Sequence, residues 1–194
     1  MELNEIELVT DPGVYQPSED TYLLLDAIEL GPTDSFLEIG CGSGLLSVAA
    51  AKTAETVVAT DVSLKAVRNT QENLIRNSLE HRCAVLQSDL LSAIDPDSEF
   101  SVIAFNPPYL PKDEYMTDMD GALVGGMVGV EMTERFLREI PPYLQNHASV
   151  YVVVSSLADV DRVEAAMLRI GLHVEKLASK KLFFETLQVL QGTL

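Results

Sequence analysis

Apolar residues in this chain fall into short runs, and the stretches between them carry a helical period. Phe36-Leu37-Glu38-Ile39, Thr56-Val57-Val58-Ala59-Thr60, Ala84-Val85-Leu86-Gln87-Ser88, Ser101-Val102-Ile103-Ala104-Phe105 and Val150-Tyr151-Val152-Val153-Val154 are short runs that read as buried strands. Between and around them, Leu24/Leu25/Ile28, Leu45/Leu46/Val48/Ala49, Ala66/Val67/Thr70/Leu74, Phe136/Leu137/Ile140 and Val160/Val163/Met167/Ile170 each share one helical face. Ser18 and Ser63 stand where N-caps belong, while Gly31-Pro32, Pro141-Pro142 and Gly171 mark helix ends. Leu172 to Leu177 and Leu182 to Leu190 read as a final hairpin turning at Ser179-Lys180-Lys181. Strand alternating with helix, closed by a hairpin, predicts a doubly wound α/β sheet, mostly parallel, whose last strand is antiparallel.

Two stretches fit no period. Residues 1–17 read as an N-terminal arm, in which Met1 to Val9 could form a short strand. Residues 110–130 carry Asp113, Glu114, Asp118 and Asp120, with glycines at 121, 125, 126 and 129. An irregular stretch of that length inside a compact domain reads as a substrate lid or a disordered segment.

Composition narrows the class. With 194 residues, 47% of them hydrophobic, the chain reads as a single domain spanning 1–194 with its own core. Lys+Arg 13 against Asp+Glu 30 gives a formal charge of −17, which repels a nucleic-acid backbone at long range. Nucleic acid is therefore an unfavoured partner, and the densest basic pair, Lys180-Lys181, is no patch. Cys41 and Cys83 have neither metal-ligand spacing nor a disulfide framework, and His81, His147 and His173 stand singly, so no metal is expected. Neither a signal peptide nor a membrane-length apolar run is visible, which predicts a cytoplasmic protein with no membrane partner.

Candidate chemistry gathers where the strands end. The first core strand runs into Gly40-Cys41-Gly42-Ser43-Gly44 and then a helix, the arrangement that brings backbone N–H groups close to a nucleotide. Leu45 stands where a dinucleotide fingerprint needs its last glycine, and an acid, Glu38, lies inside the strand. That substitution favours a ligand with a positive group over a pyrophosphate. Asp61 ends the second strand 21 positions after Gly40, the distance at which a carboxylate receives ribose hydroxyls; the plain alternative is a strand-end turn residue. Asp89 after the third strand could accept from an adenine amino group, or be an ordinary loop residue. Glu19 and Asp20 suit the positive end of a helix dipole, which capping alone would explain. The fourth strand stops at Asn106-Pro107-Pro108-Tyr109. Two prolines fix a stiff corner without N–H groups, leaving an amide and bare carbonyls at a strand's C-terminal end. The alternative there is a Pro-Pro turn with a capping Asn.

Together these residues resemble the class I S-adenosylmethionine-dependent methyltransferases with an (N/D)PP(Y/F) motif, whose Rossmann-like sheet has seven strands. Tyr15-x-Pro17-x-Glu19-Asp20-Thr21, Gly125-Gly126-x-x-Gly129 and Glu185-Thr186-Leu187 narrow the resemblance. They are similar to HemK-like protein-glutamine N5-methyltransferases, in the short archaeal and eukaryotic branch, which modify the Gly-Gly-Gln loop of peptide chain release factors. The resemblance implies S-adenosylmethionine as cofactor. Thr21, Glu38, Gly40, Cys41, Gly42 and Gly44 would hold its methionine and ribose side. Asp61 and Val62 would meet the ribose, Asp89 and Leu90 the adenine, and Asn106 both cofactor and substrate. Asn106, Pro107, Pro108 and Tyr109 would grip the substrate amide: the Asn106 oxygen and Pro107 carbonyl accept its two N–H groups, and Tyr109 stacks on its plane. Leu123 and Met127 depart from the Trp and Arg of related short-branch enzymes. The same grip suits an exocyclic amine of adenine N6 or guanine N2, so a base methyltransferase is the competing reading; a non-catalytic scaffold is a third. The branch also pairs with a small zinc-binding activator. The uncharged strand from Cys83 to Ser88, an outer one in this fold, is its expected docking edge, unless the chain's own Met1 to Val9 arm covers it.

Overall fold

The computed structural model describes residues 6–109 and 130–194. Its elements follow in order: α1 (Glu19–Ala27), β1 (Ser35–Ile39), α2 (Leu45–Ala51), β2 (Thr56–Asp61), α3 (Leu64–Arg76), β3 (Cys83–Gln87), β4 (Phe100–Phe105), α4 (Glu131–Glu139), β5 (Leu144–Ser155), α5 (Val160–Arg169), β6 (His173–Lys181) and β7 (Thr186–Thr193). A 3₁₀ turn at Pro141–Tyr143 links α4 to β5, so the two prolines end the helix as their missing N–H groups require. Seven strands form one sheet in the order β3-β2-β1-β4-β5-β7-β6. All are parallel except β7, which runs antiparallel between β5 and β6.

Alternation along the central strands sends apolar side chains to both faces. Phe36, Val102, Ala104, Tyr151 and Val153 pack toward α1 and α2. Leu37, Ile39, Ile103, Phe105, Val150 and Val152 pack against Phe136 and Leu137 of α4 and Val163 and Met167 of α5. Strand order reverses between β1 and β4, and ligands in such sheets bind at the strand C-termini over that switch.

The hairpin departs from expectation. Ser179-Lys180-Lys181 belongs to strand β6, and the turn falls on Leu182 to Glu185, closed by the Leu182 N–H donating to the Glu185 carbonyl at 2.8 Å. Charged residues on β6 signal an outer strand rather than a turn: an edge strand exposes both faces, and lysines there oppose pairing with other chains. The described part of the arm, from Ile6 onward, is tied to a helix, and Met1 to Glu5 lie outside the described residues. Its backbone runs along α3, where Asn69, Asn73 and Asn77 recur every fourth residue. Their side-chain oxygens accept from the N–H of Asp11, Val9 and Glu7 at 3.0, 2.9 and 3.0 Å. Asn69 and Asn73 amides donate back to the Val9 carbonyl, and Asn77 to that of Glu7. The segment from Leu110 to Gly129, with Leu123, Met127 and the Gly-Gly motif, lies outside the described residues.

Candidate active site

A cavity of about 1170 Å³ opens over the switch point. Its walls come from residues 13–18 of the arm, the start of α1, the glycine loop, the ends of β2 and β4, and the turn after β3. Of the expected site residues, Thr21, Glu38, Gly40, Cys41, Gly42, Asp61, Val62, Asp89, Leu90, Asn106, Pro107 and Pro108 all line it. Gly44 and Tyr109 do not.

The glycine loop explains itself locally. Gly40 N–H and Cys41 N–H both donate to the Thr60 carbonyl, at 2.8 and 2.9 Å, so β1 bends back on β2 as it ends. Gly44 has φ +83, and a Cβ there would meet Thr70 Cγ2 at 2.6 Å. The third glycine therefore seats the loop on α3, away from the cavity. The Thr70 hydroxyl completes that seat by donating to the Gly42 carbonyl at 3.0 Å.

Two acids of different surroundings line the cavity. Glu38 is 3% exposed in the middle of the sheet, bonded to the Ser47 hydroxyl from α2. Burial pushes its carboxyl up to about 8, against the opposing effect of Ser47 and with some help from Asp61. Asp61 accepts from Gly42 N–H at 3.0 Å through one oxygen and from Ser63 N–H at 2.8 Å through the other. Burial raises it, and those two N–H groups hold it back. Each of its oxygens keeps a lone pair for a ligand hydroxyl. Val62, 69% exposed, and Leu90 offer apolar contacts nearby. Asp89 has a partner the sequence did not show: Arg135 Nη1 of α4 reaches both of its oxygens at 2.9 Å.

At the corner, Asn106 Oδ1 is buried with no hydrogen-bond partner among the described residues. Buried acceptors are nearly always satisfied, so this one is open to a donor from beyond the described residues, as a ligand amide would supply. Tyr109 turns the other way. Its ring lies in the core, and its hydroxyl donates to Asp20 Oδ2 at 3.1 Å. The same oxygen accepts from the Tyr15 hydroxyl at 2.8 Å, and Asp20 Oδ1 accepts from Thr21 N–H at 2.6 Å and Thr21 Oγ1 at 3.1 Å. Burial, then the charge of Asp20, lifts both tyrosines well above the usual phenol range. Asp20, 2% exposed, is thus a buried hub joining arm, α1 and corner, whereas the sequence offered it only as a helix-capping acid. Ser47 and Arg135 were missed as well, since each meets its partner through the fold, and Tyr15 stood in the motif with Asp20 but without a role.

Residues 5–184 match the methyltransferase small domain family. A Methanocaldococcus jannaschii protein provisionally named a protein N5-glutamine methyltransferase is 36% identical over 99% of this chain and 98% of its own length. Human methyltransferase HEMK2 is 30% identical over 93% of this chain and 89% of its own. Among solved structures, the E. cuniculi Mtq2–Trm112 complex, responsible for methylation of the translation termination factor eRF1, superposes with a TM-score of 0.75. It covers 93% of this chain and 98% of that one, at 27% identity. The T. thermophilus 16S rRNA N2 G1207 methyltransferase, solved with AdoMet and guanosine, shares the fold at 20% identity and a TM-score of 0.69, over 92% of this chain and 43% of its own. With its switch-point cavity, strand-borne acid and diproline corner, the chain is a methyltransferase and belongs to the methyltransferase small domain family, alongside the HemK-like enzymes.

Proposed function

We propose that the protein transfers a methyl group from S-adenosylmethionine to the side-chain amide nitrogen of a glutamine in the Gly-Gly-Gln loop of a peptide chain release factor. The observation that carries this reading is the buried oxygen of Asn106, a cavity-lining residue, unpartnered among the described residues. The names of the M. jannaschii relative and of the E. cuniculi complex support it.

The residues fit the cofactor. Glu38 offers a desolvated carboxylate to a cationic ligand, Asp61 two acceptors to a ribose, and Val62 and Leu90 apolar surface to a base. Thr21 and Gly40 to Gly42 line the same cavity. Asp89 enters this set already tied to Arg135, with lone pairs left for an amino group. When bound, S-adenosylmethionine supplies an electrophilic methyl group on a sulfonium.

The chain's part is orientation. A glutamine nitrogen is planar because its lone pair is delocalised into its carbonyl, so it is a poor nucleophile until that lone pair is localised. Asn106 Oδ1 and the Pro107 carbonyl accept its two N–H groups and aim the nitrogen into the cavity. Alignment of this kind lowers a barrier by up to roughly 7–11 kcal/mol at the favourable limit. Tyr109 acts through Asp20, holding the corner rather than stacking on the amide. The chain works as a single catalytic domain. A release factor places the work in the cytoplasm. A small zinc-binding activator docks on β3, whose outer edge pairs with no described strand and carries no charge from Ala84 to Gln87.

The test is transfer of labelled methyl to three acceptors: release factor, the same factor with its loop glutamine changed to alanine, and total RNA. Label should appear in the first alone, and Asn106→Ala should remove it while cofactor affinity falls only modestly. Label in RNA would instead support base methylation, since the same acceptor pair suits an exocyclic amine.

A further inference from the structure

Phe183 and Phe184 are the most exposed large apolar residues described, at 92% and 84%, and their rings meet edge to face at 4.7 Å. They occupy the centre of the β6–β7 turn. Tight hairpin turns favour Asn-Gly or Gly-containing pairs, and neither phenylalanine takes the positive φ that such turns exploit. The pair thus serves neither turn geometry nor the core.

Its position has a clear relation to the site. β7 leaves the turn and pairs Leu187 with Ser155, the last residue of β5, so the turn stands at the same end of the sheet as the corner after β4. Lys180, just before the turn, is ion-paired with Glu19, next to Asp20 and Thr21 of the cavity wall. Glu185, the last residue of the turn, is bonded to Ser155, and its charge acts on the Tyr15 and Tyr109 hydroxyls. Exposed Leu157 follows β5 at the same end. Apolar groups gathered this way on a surface of formal charge −17 mark a contact site.

We infer that the Phe183–Phe184 tip is a docking point for the protein substrate, seating an apolar patch of the release factor beside the loop that carries its glutamine. This rests on the function proposed above. A macromolecular acceptor needs contacts beyond one amide, and an exposed pair of rings at the same end of the sheet as the catalytic corner, outside the cavity lining, offers them.

The test replaces the pair by serines, as F183S/F184S, which removes both rings and asks no positive φ of the turn. The Kd of release factor is read by fluorescence anisotropy, alongside KM and kcat for methyl transfer. Expected are a Kd and KM raised about tenfold, the loss of a typical interface aromatic, with kcat, cofactor affinity and melting temperature held. An unchanged Kd overturns the inference, as does a wild type that binds no release factor. A dimer that the substitution converts to monomer also overturns it, by making a second copy the occupant. Tip-dependent binding without methyl transfer would sink the acceptor assignment and leave the docking point standing.

Discussion

Glu38 is the residue whose placement most constrains the chemistry. Its ordinary value is 4.5, and in the folded chain burial raises it to about 8, so the native state carries one more proton than the unfolded state between those limits. Its contribution to stability is therefore full below about 4.5, declines as pH rises toward about 8, and is flat above that. A cationic ligand favours the ionised form. Cofactor affinity should accordingly rise with pH up to about 8, and binding near pH 7 should release about one proton, read by calorimetry in buffers of different ionisation enthalpy. Glu38→Gln should abolish that release, weaken binding, and stabilise the cofactor-free protein at pH 8 by about 1–3 kcal/mol. Tyr109 gives a second residue-level expectation. Tyr109→Phe leaves the core ring in place and removes one donor to Asp20. Stability should fall by about 1–2 kcal/mol, and kcat should drop with cofactor Kd unchanged. An unaltered kcat would reduce Tyr109 to a packing residue.

Among elements, those defined by local spacing were legible from sequence and those defined by distant contacts were not. The strand–glycine–helix unit, Asp61 at its fixed distance and the diproline stop depend on neighbours a few residues away, and the structure places them round one cavity. Asp20 with Tyr109 and Asp89 with Arg135 are pairs 89 and 46 positions apart, which no period reveals. The hairpin was misplaced because Ser-Lys-Lys looks like turn chemistry, and only the strand order shows it to be a charged edge. The asparagine ladder on α3 did leave a trace: three poor helix formers at every fourth position on one face. Asn73 is its centre, serving Val9 and also donating to the Ser43 carbonyl of the glycine loop at 2.8 Å. Asn73→Ala should cost about 2–3 kcal/mol in denaturant unfolding, because buried polar groups lose their partner. It should also weaken cofactor binding, whereas Asn77→Ala, at the exposed end, should do neither strongly.

On the scale of the whole molecule, the sheet has two edges treated in opposite ways. β6 carries Lys176, Lys180 and Lys181, which discourage pairing, while β3 presents an uncharged run from Ala84 to Gln87. The asymmetry favours a partner on the β3 side. Gel filtration with and without the proposed activator should show a complex that Val85→Lys disrupts; a stable, active monomer that ignores the activator would reject it. The −17 charge acts at this scale too, keeping copies apart and making a basic protein surface a better acceptor than a phosphate backbone.

The strap of asparagines along α3 also decides how the enzyme could be disabled from outside. Residues 13–18 form a wall of the cavity, and the chain just before them is held by the α3 amides. A protease nick ahead of Gly13 would spare every catalytic group and yet leave that wall anchored at one side only. Clipped protein should keep its melting behaviour far better than its grip on the nucleoside.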